Sequence, residues 1–173
     1  MNVLKTIFSR SPQRVGRHEK LETRNLCSEE EEAEFQVHFL GDAPIAESNS
    51  KKSTAKAVEN MVKMSKQDRS KTKKVTLVIS PAGIRINETS SYCLVDVPLT
   101  HISYCSADAK CTQMFAFVSI NARGDLKCYV FDCQSKKYAR EIATTFNKIF
   151  QAVYLNMKVD ARQQLYPELS RLL

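Results

Sequence analysis

The side chains in this sequence best suited to chemistry are six cysteines, three histidines and a short acidic run. Their spacing argues against most of that chemistry. Cys27, Cys93, Cys105, Cys111, Cys128 and Cys133 would permit three disulfides in an oxidising compartment. No secretory signal leads into them: the apolar residues among positions 1–10 are broken by Lys5, and no small-residue cleavage site follows. Reduced thiols in a cytosolic protein are therefore expected. No paired Cys-x-x-Cys has histidines placed to complete a zinc site, and His18, His38 and His101 are scattered, so neither a metal nor another cofactor is expected. The acids at 29–32 form a run that reads as solvated rather than as a catalytic pair. There is no Gly-rich phosphate loop, no H-E-x-x-H and no G-x-S-x-G. A chance pairing of a thiol with His101 is all that remains for catalysis, and the chain is expected not to be an enzyme.

Binding chemistry is better represented. The 173 residues carry 26 basic and 19 acidic side chains, a net +7, which favours a partner or surface of negative charge. With 43% hydrophobic and 26% charged residues, the chain suits one folded domain with short tails, and its apolar stretches are too short to span a bilayer. The charge is concentrated. Residues 51–74 hold nine basic residues (Lys51, Lys52, Lys56, Lys63, Lys66, Arg69, Lys71, Lys73 and Lys74) against only Glu59 and Asp68, an excess equal to that of the whole chain. Anionic lipid head groups suit such a patch, each basic residue near the surface contributing about 1 kcal/mol. Nucleic acid ranks lower, because the patch lacks interleaved aromatics. A solvated helix face that serves only solubility is the plain alternative.

The elements that must position these groups follow from hydrophobic period. Residues 1–30 form a basic lead segment in which Val3, Leu4, Ile7 and Phe8 can share one side of a short helix. It suits an anionic membrane surface or a loose tail, with a mitochondrial presequence ranked low. Phe35, Val37 and Phe39 alternate with polar residues as in a half-buried strand that ends at Gly41-Asp42. Ser53-Thr54 read as N-caps of a helix whose apolar face holds Ala55, Val58, Met61 and Val62 and which runs to about Lys66. Strand patterns follow at 75–80, 84–87, 92–95, 100–106, 114–120 and 126–132, with a turn at Pro81-Ala82-Gly83. From Ser135 the period changes. Ala139, Ile142, Phe146, Ile149, Phe150, Val153 and Met157 recur at steps of three and four, predicting a helix of about six turns. The order strand, helix, about six strands, long helix predicts an α+β fold with an antiparallel sheet and a C-terminal helix that caps one open end.

The segment His101, Ile102, Ser103, Tyr104, Cys105, Ser106, Ala107, Asp108 alternates in polarity after a proline-containing loop. Placed at the sheet end beside the last helix, it would offer partly unpaired backbone to an extended peptide. An internal strand without a ligand satisfies the same periodicity.

Residues 35–154 resemble a phosphotyrosine-binding (PTB) domain of the Disabled and Numb type, in the branch of the low-density-lipoprotein receptor adaptor and the engulfment adaptor. The resemblance rests on Phe39-Leu40-Gly41, on Lys74-Val75-Thr76-Leu77-Val78-Ile79-Ser80 with Gly83-Ile84, and on His101-Ile102-Ser103-Tyr104-Cys105 with Ala107-Asp108. Phe115-Ala116-Phe117, Cys128-Tyr129-Val130-Phe131 and Ile149-Phe150-Gln151-Ala152-Val153-Tyr154 complete it. It implies a PH-like β-sandwich of about seven antiparallel strands, with an early helix after strand one and a long C-terminal capping helix. It divides the chain into a lead segment at 1–30, the domain at 31–158 and a tail at 159–173.

The resemblance further implies binding of NPxY-type motifs in receptor cytoplasmic tails, in endocytosis or receptor trafficking, at the inner face of the plasma membrane or on endosomes. The peptide would pair with His101, Ile102, Ser103, Tyr104, Cys105 and Ser106 and lie against Phe146, Phe150 and Val153. Ser103 would sit beside the asparagine-containing turn. No arginine pair for a phosphate is evident, in keeping with a subclass that does not need the tyrosine phosphorylated. A separate basic surface would bind phosphoinositides through Lys52, Lys56, Lys71, Lys73 and Lys74, with His38 standing where lysine is usual, an exchange that weakens lipid contact or makes it acid-assisted. Tyr166-Pro167-Glu168-Leu169 and the dileucine pattern ending at Leu173 make clathrin adaptor complexes a further candidate partner, though both patterns are frequent by chance. The alternatives are a PH-like lipid-binding domain without peptide recognition, and a short inhibitory adaptor without coat-recruiting motifs.

Overall fold

The structure, a computed structural model, describes residues 32–47, 50–107 and 111–165, with side chains described as far as Lys158. The lead-segment helix pattern, Cys27 and the tail motifs lie outside the described residues. The order of elements is β1 (Ala33–Pro44), α1 (Lys51–Gln67), β2 (Lys73–Ser80), β3 (Gly83–Thr89), β4 (Tyr92–Pro98), β5 (Ile102–Ala107), β6 (Met114–Ile120), β7 (Leu126–Asp132) and α2 (Lys136–Leu165). The seven strands form one antiparallel sheet in the order β4-β3-β2-β1-β7-β6-β5, so β4 and β5 are its two edges.

Two apolar clusters lie on opposite faces of the sheet. One face packs Phe35, Val37, Leu77, Ile79, Ile84, Ile86, Phe115, Phe117 and Phe131 against Ala139, Ile142, Phe146, Ile149 and Phe150 of α2. The other packs Leu40, Met114, Ala116, Val118, Cys128 and Val130 against Ala57 and Val58 of α1. Strands β6 and β7 are covered on both sides, which is why Met114, Phe115, Ala116, Phe117 and Val118 are all buried rather than alternating.

Several boundaries differ from the sequence-based expectation, each for a local reason. β1 does not stop at Gly41. Leu40 is an extra residue in the β1–β7 ladder, and Gly41, at φ 128°, carries the strand past the bulge to Pro44. The cap of α1 is Ser50, not Ser53 or Thr54: its Oγ accepts from the Ser53 N–H at 3.2 Å, and Thr54 is buried instead. Leu99, Thr100 and His101 form a single 3₁₀ turn closed by the Ile102 N–H on the Leu99 carbonyl, so His101 precedes β5 rather than belonging to it. α2 begins just after Ser135, whose Oγ accepts from the Tyr138 N–H, and runs 30 residues, about eight turns rather than six.

Candidate functional site

β5 pairs with β6 and with no second strand among the described residues. Its pairing register slips between Ile102 and Tyr104, which makes Ser103 the extra residue of a β-bulge. The Ser103 hydroxyl donates inward to the Val118 carbonyl at 3.2 Å, and the residue is only 4% exposed. Ser103 therefore pins the bulge. The slip also resets the alternation of the strand: Ile102, Cys105 and Ala107 pack with the α2-side cluster, while Tyr104 packs with the α1-side cluster. An unbroken strand would have put Ile102 and Cys105 on opposite faces.

α2 packs against β5, β6 and β2. The Cys105 thiol donates to Asn147 Oδ1 at 3.9 Å, a long sulfur contact that ties the edge strand to the middle of the helix. Burial pushes this thiol up to about 12, so it stays protonated and acts as a weak donor, not a nucleophile. Ser106 turns its hydroxyl onto the Ala107 carbonyl. Phe146 and Phe150 stack at 4.1 Å between centroids and are 0% and 2% exposed. Both belong to the buried cluster that also holds Ile102 of β5. Val153, half-buried, packs against that cluster. Asn147 was missed by the sequence reading. The signal was its place three residues before Phe150 on one helix face.

The residues expected to form the basic surface fall in more than one place. A cleft of about 790 Å³ lies between the C-terminal end of α1 and the sheet, lined by His38, Leu40, Val62, Ser65, Lys66, Arg69, Thr72, Gln113, Met114 and Asp132 among others. His38 is opposite Lys74 on β2 and Asp132 on β7. Lys52 and Lys56 sit near the start of α1, about 15–20 Å along the helix from Lys66, and do not line the cleft. Lys71 pairs with Asp68 at 3.5 Å and Lys73 with Glu88 at 3.2 Å. The Ser70 hydroxyl and amide, with Lys71, hold the Asp68 carboxyl below its usual range, and the same amide bond lets Asp68 cap the turn that carries Arg69. Lys66 and Arg69 are thus the cleft-lining cations. Both belonged to the basic run, but only the packing of α1 shows which members of that run share a cavity.

The phosphotyrosine interaction domain (PTB/PID) family matches residues 35–159. The chain belongs to that family. The low density lipoprotein receptor adapter protein 1 of Mus musculus is 29% identical over 144 residues, covering 80% of this chain and 47% of its own length, and that of Homo sapiens is 28% identical with the same coverage. The Capon-like protein of Drosophila melanogaster is 25% identical over 134 residues, 69% of this chain and 19% of its own. This chain therefore spans about half the length of the receptor adapter proteins it matches. Among solved structures, the C-terminal phosphotyrosine interaction domain of mouse APBB2 superposes with a TM-score of 0.62 at 18% identity, covering 82% of this chain and 96% of that one. The PTB domain has the PH-like fold, with the seven strands, early helix and closing helix seen here.

Proposed function

We propose that this PTB domain is a non-catalytic adaptor module that takes NPxY-type motifs of receptor cytoplasmic tails by strand addition to β5, aided by phosphoinositide contact at the α1 cleft. The observation that carries the reading is that β5, unpaired on its outer side among the described residues, lies beside α2, with Cys105 in contact with Asn147. A guest strand on that edge gains main-chain hydrogen bonds, with half-buried Val153 of α2 as an apolar contact for its side chains. Names of the related receptor adapter proteins support a receptor tail as the guest. The cationic cleft at Lys66 and Arg69 supports a peripheral position on the inner, anionic leaflet of a membrane. Among the described residues, no helix is long and apolar enough to cross one.

Titration with an NPxY peptide, followed by amide chemical shifts, tests the reading. Shifts confined to residues 101–107 and the facing turn of α2 are expected. Binding without shifts in β5 would sink the groove assignment. A second reading, a lipid-binding PH-like module without peptide recognition, draws on the size and charge of the cleft; it wins if vesicles bind and no tail peptide does.

A further inference from the structure

We propose that the row of α2 bordering the β5 edge selects guest tails whose acidic residues flank the segment paired with β5. The selecting groups are Lys136 and Arg140 at one end of the row and Lys158 at the other. This deepens the peptide-groove part of the function proposed above and rests on it. Asn147 touches Cys105, so it marks the side of the helix turned to β5. Steps of three and four along a helix keep to one side. Backwards from Asn147 they reach Ala143, Arg140 and Lys136; forwards they reach Gln151, Tyr154 and Lys158. The middle of the row is neutral and its two ends are cationic. At 1.5 Å per residue, Arg140 lies about 10 Å before Asn147 and Lys158 about 16 Å after it. An extended guest advances about 3.3 Å per residue. In a guest laid along the row, the acids therefore fall about three residues to one side of the residue beside Asn147 and about five to the other.

These cations are available to a guest. Lys136, Arg140 and Lys158 are exposed, and among the described residues no ion pair engages them. Lys158 is also held in place: its Nζ lies 4.6 Å from the centre of the Tyr154 ring, one turn back on the same row. No acid shares the row. Glu141, the one acid of α2 whose side chain is described, is about 100° round the helix from Arg140. β5 and β6 carry no charged residue, and Asp108 and Lys110, which follow β5 in sequence, offset each other. A guest carboxylate at either end of the row gains an exposed ion pair, worth up to about five-fold in affinity and screened by salt. A lysine at the same place is repelled. Main-chain pairing with β5 accepts almost any extended sequence, so side-chain charge at the two ends is what tells one tail from another.

The test is calorimetric titration of the full chain with three synthetic NPxY peptides, identical in the motif and carrying aspartate, serine or lysine at the flanking positions on both sides. The unaltered chain is expected to bind the aspartate peptide about ten-fold more tightly than the serine peptide, and the lysine peptide more weakly than either. Arg140→Gln combined with Lys158→Gln, shown to be folded by its thermal transition, is expected to shrink the aspartate-to-serine ratio to within about two-fold. Lys137→Gln combined with Lys148→Gln removes the same charge from the outer side of the helix and should keep the ratio. A ratio near one in the unaltered chain, with the serine peptide still bound, overturns the selection and leaves the groove standing. A ratio that survives the first pair of substitutions, or falls equally with the second, also overturns it, because the row would then not be its source. Absence of binding by all three peptides to the unaltered chain sinks the groove together with the selection.

Discussion

At the scale of single residues, burial decides which substitutions test the groove and which merely unfold it. Phe150 is 2% exposed and stacked on Phe146, so Phe150→Ala removes core packing first. A loss of about 3–5 kcal/mol in a denaturant titration is expected, which makes it a poor probe of peptide contact. Asn147 is exposed and contacts Cys105 of β5. Asn147→Ala should leave stability within about 0.5 kcal/mol while weakening tail-peptide affinity several-fold by calorimetry. The thiols give a pH prediction. Burial pushes Cys128 and Cys133 up to about 12 from 9.0. The folded chain therefore holds these protons where the unfolded chain has released them. Stability is fully present below pH 9 and falls as pH rises toward 12, by about 1.4 kcal/mol per pH unit for each thiol. Unfolding curves at pH 8 and 10 check the sign: the chain should be less stable at pH 10, and less so in Cys128→Ala than in the unaltered chain.

At the scale of elements, the β2–β3 turn shows a backbone requirement that side-chain packing cannot relieve. Gly83 has φ 150°, and a Cβ there would lie 2.1 Å from the Val97 carbonyl oxygen. Gly83→Ala should cost about 3 kcal/mol or more, read as a lowered thermal midpoint, because the obstacle is main chain in the adjacent strand. The elements themselves were largely readable from sequence. The ranges of β6 and β7 follow from continuous apolar runs and the buried face of α2 from apolar period, since Phe146, Ile149 and Phe150 sit where steps of three and four require. Bulges were not readable. Nothing about Leu40 or Ser103 as residue types announces an extra position in a ladder; the slip exists only relative to the partner strand. The site was legible to the same extent. The segment 101–106 was readable as a strand, but the facing of Ile102 and Cys105 depends on the bulge, and His101 fell into a 3₁₀ turn. The basic run was readable as charge, while which of its members line the cleft, Lys66 and Arg69, depends on where α1 ends against the sheet.

At the scale of the whole molecule, the two candidate sites stand on different supports. The groove belongs to the α2 side and the β5 edge, and the cleft to the α1 side of β1, β6 and β7. Sites without shared residues should be separable. Lys66→Glu with Arg69→Glu should abolish binding to phosphoinositide vesicles in a sedimentation assay and leave tail-peptide affinity within two-fold or so; joint loss would mean that they are one site. The Ser103 bulge has one more consequence. A lone border strand invites a twin molecule to dock against it and begin a growing ribbon. One surplus residue, anchored to Val118, throws the border out of step with any long partner that keeps regular spacing. A short, bending guest tolerates that misstep and a rigid neighbour does not, so the feature that shapes the groove also guards the protein against clumping with itself.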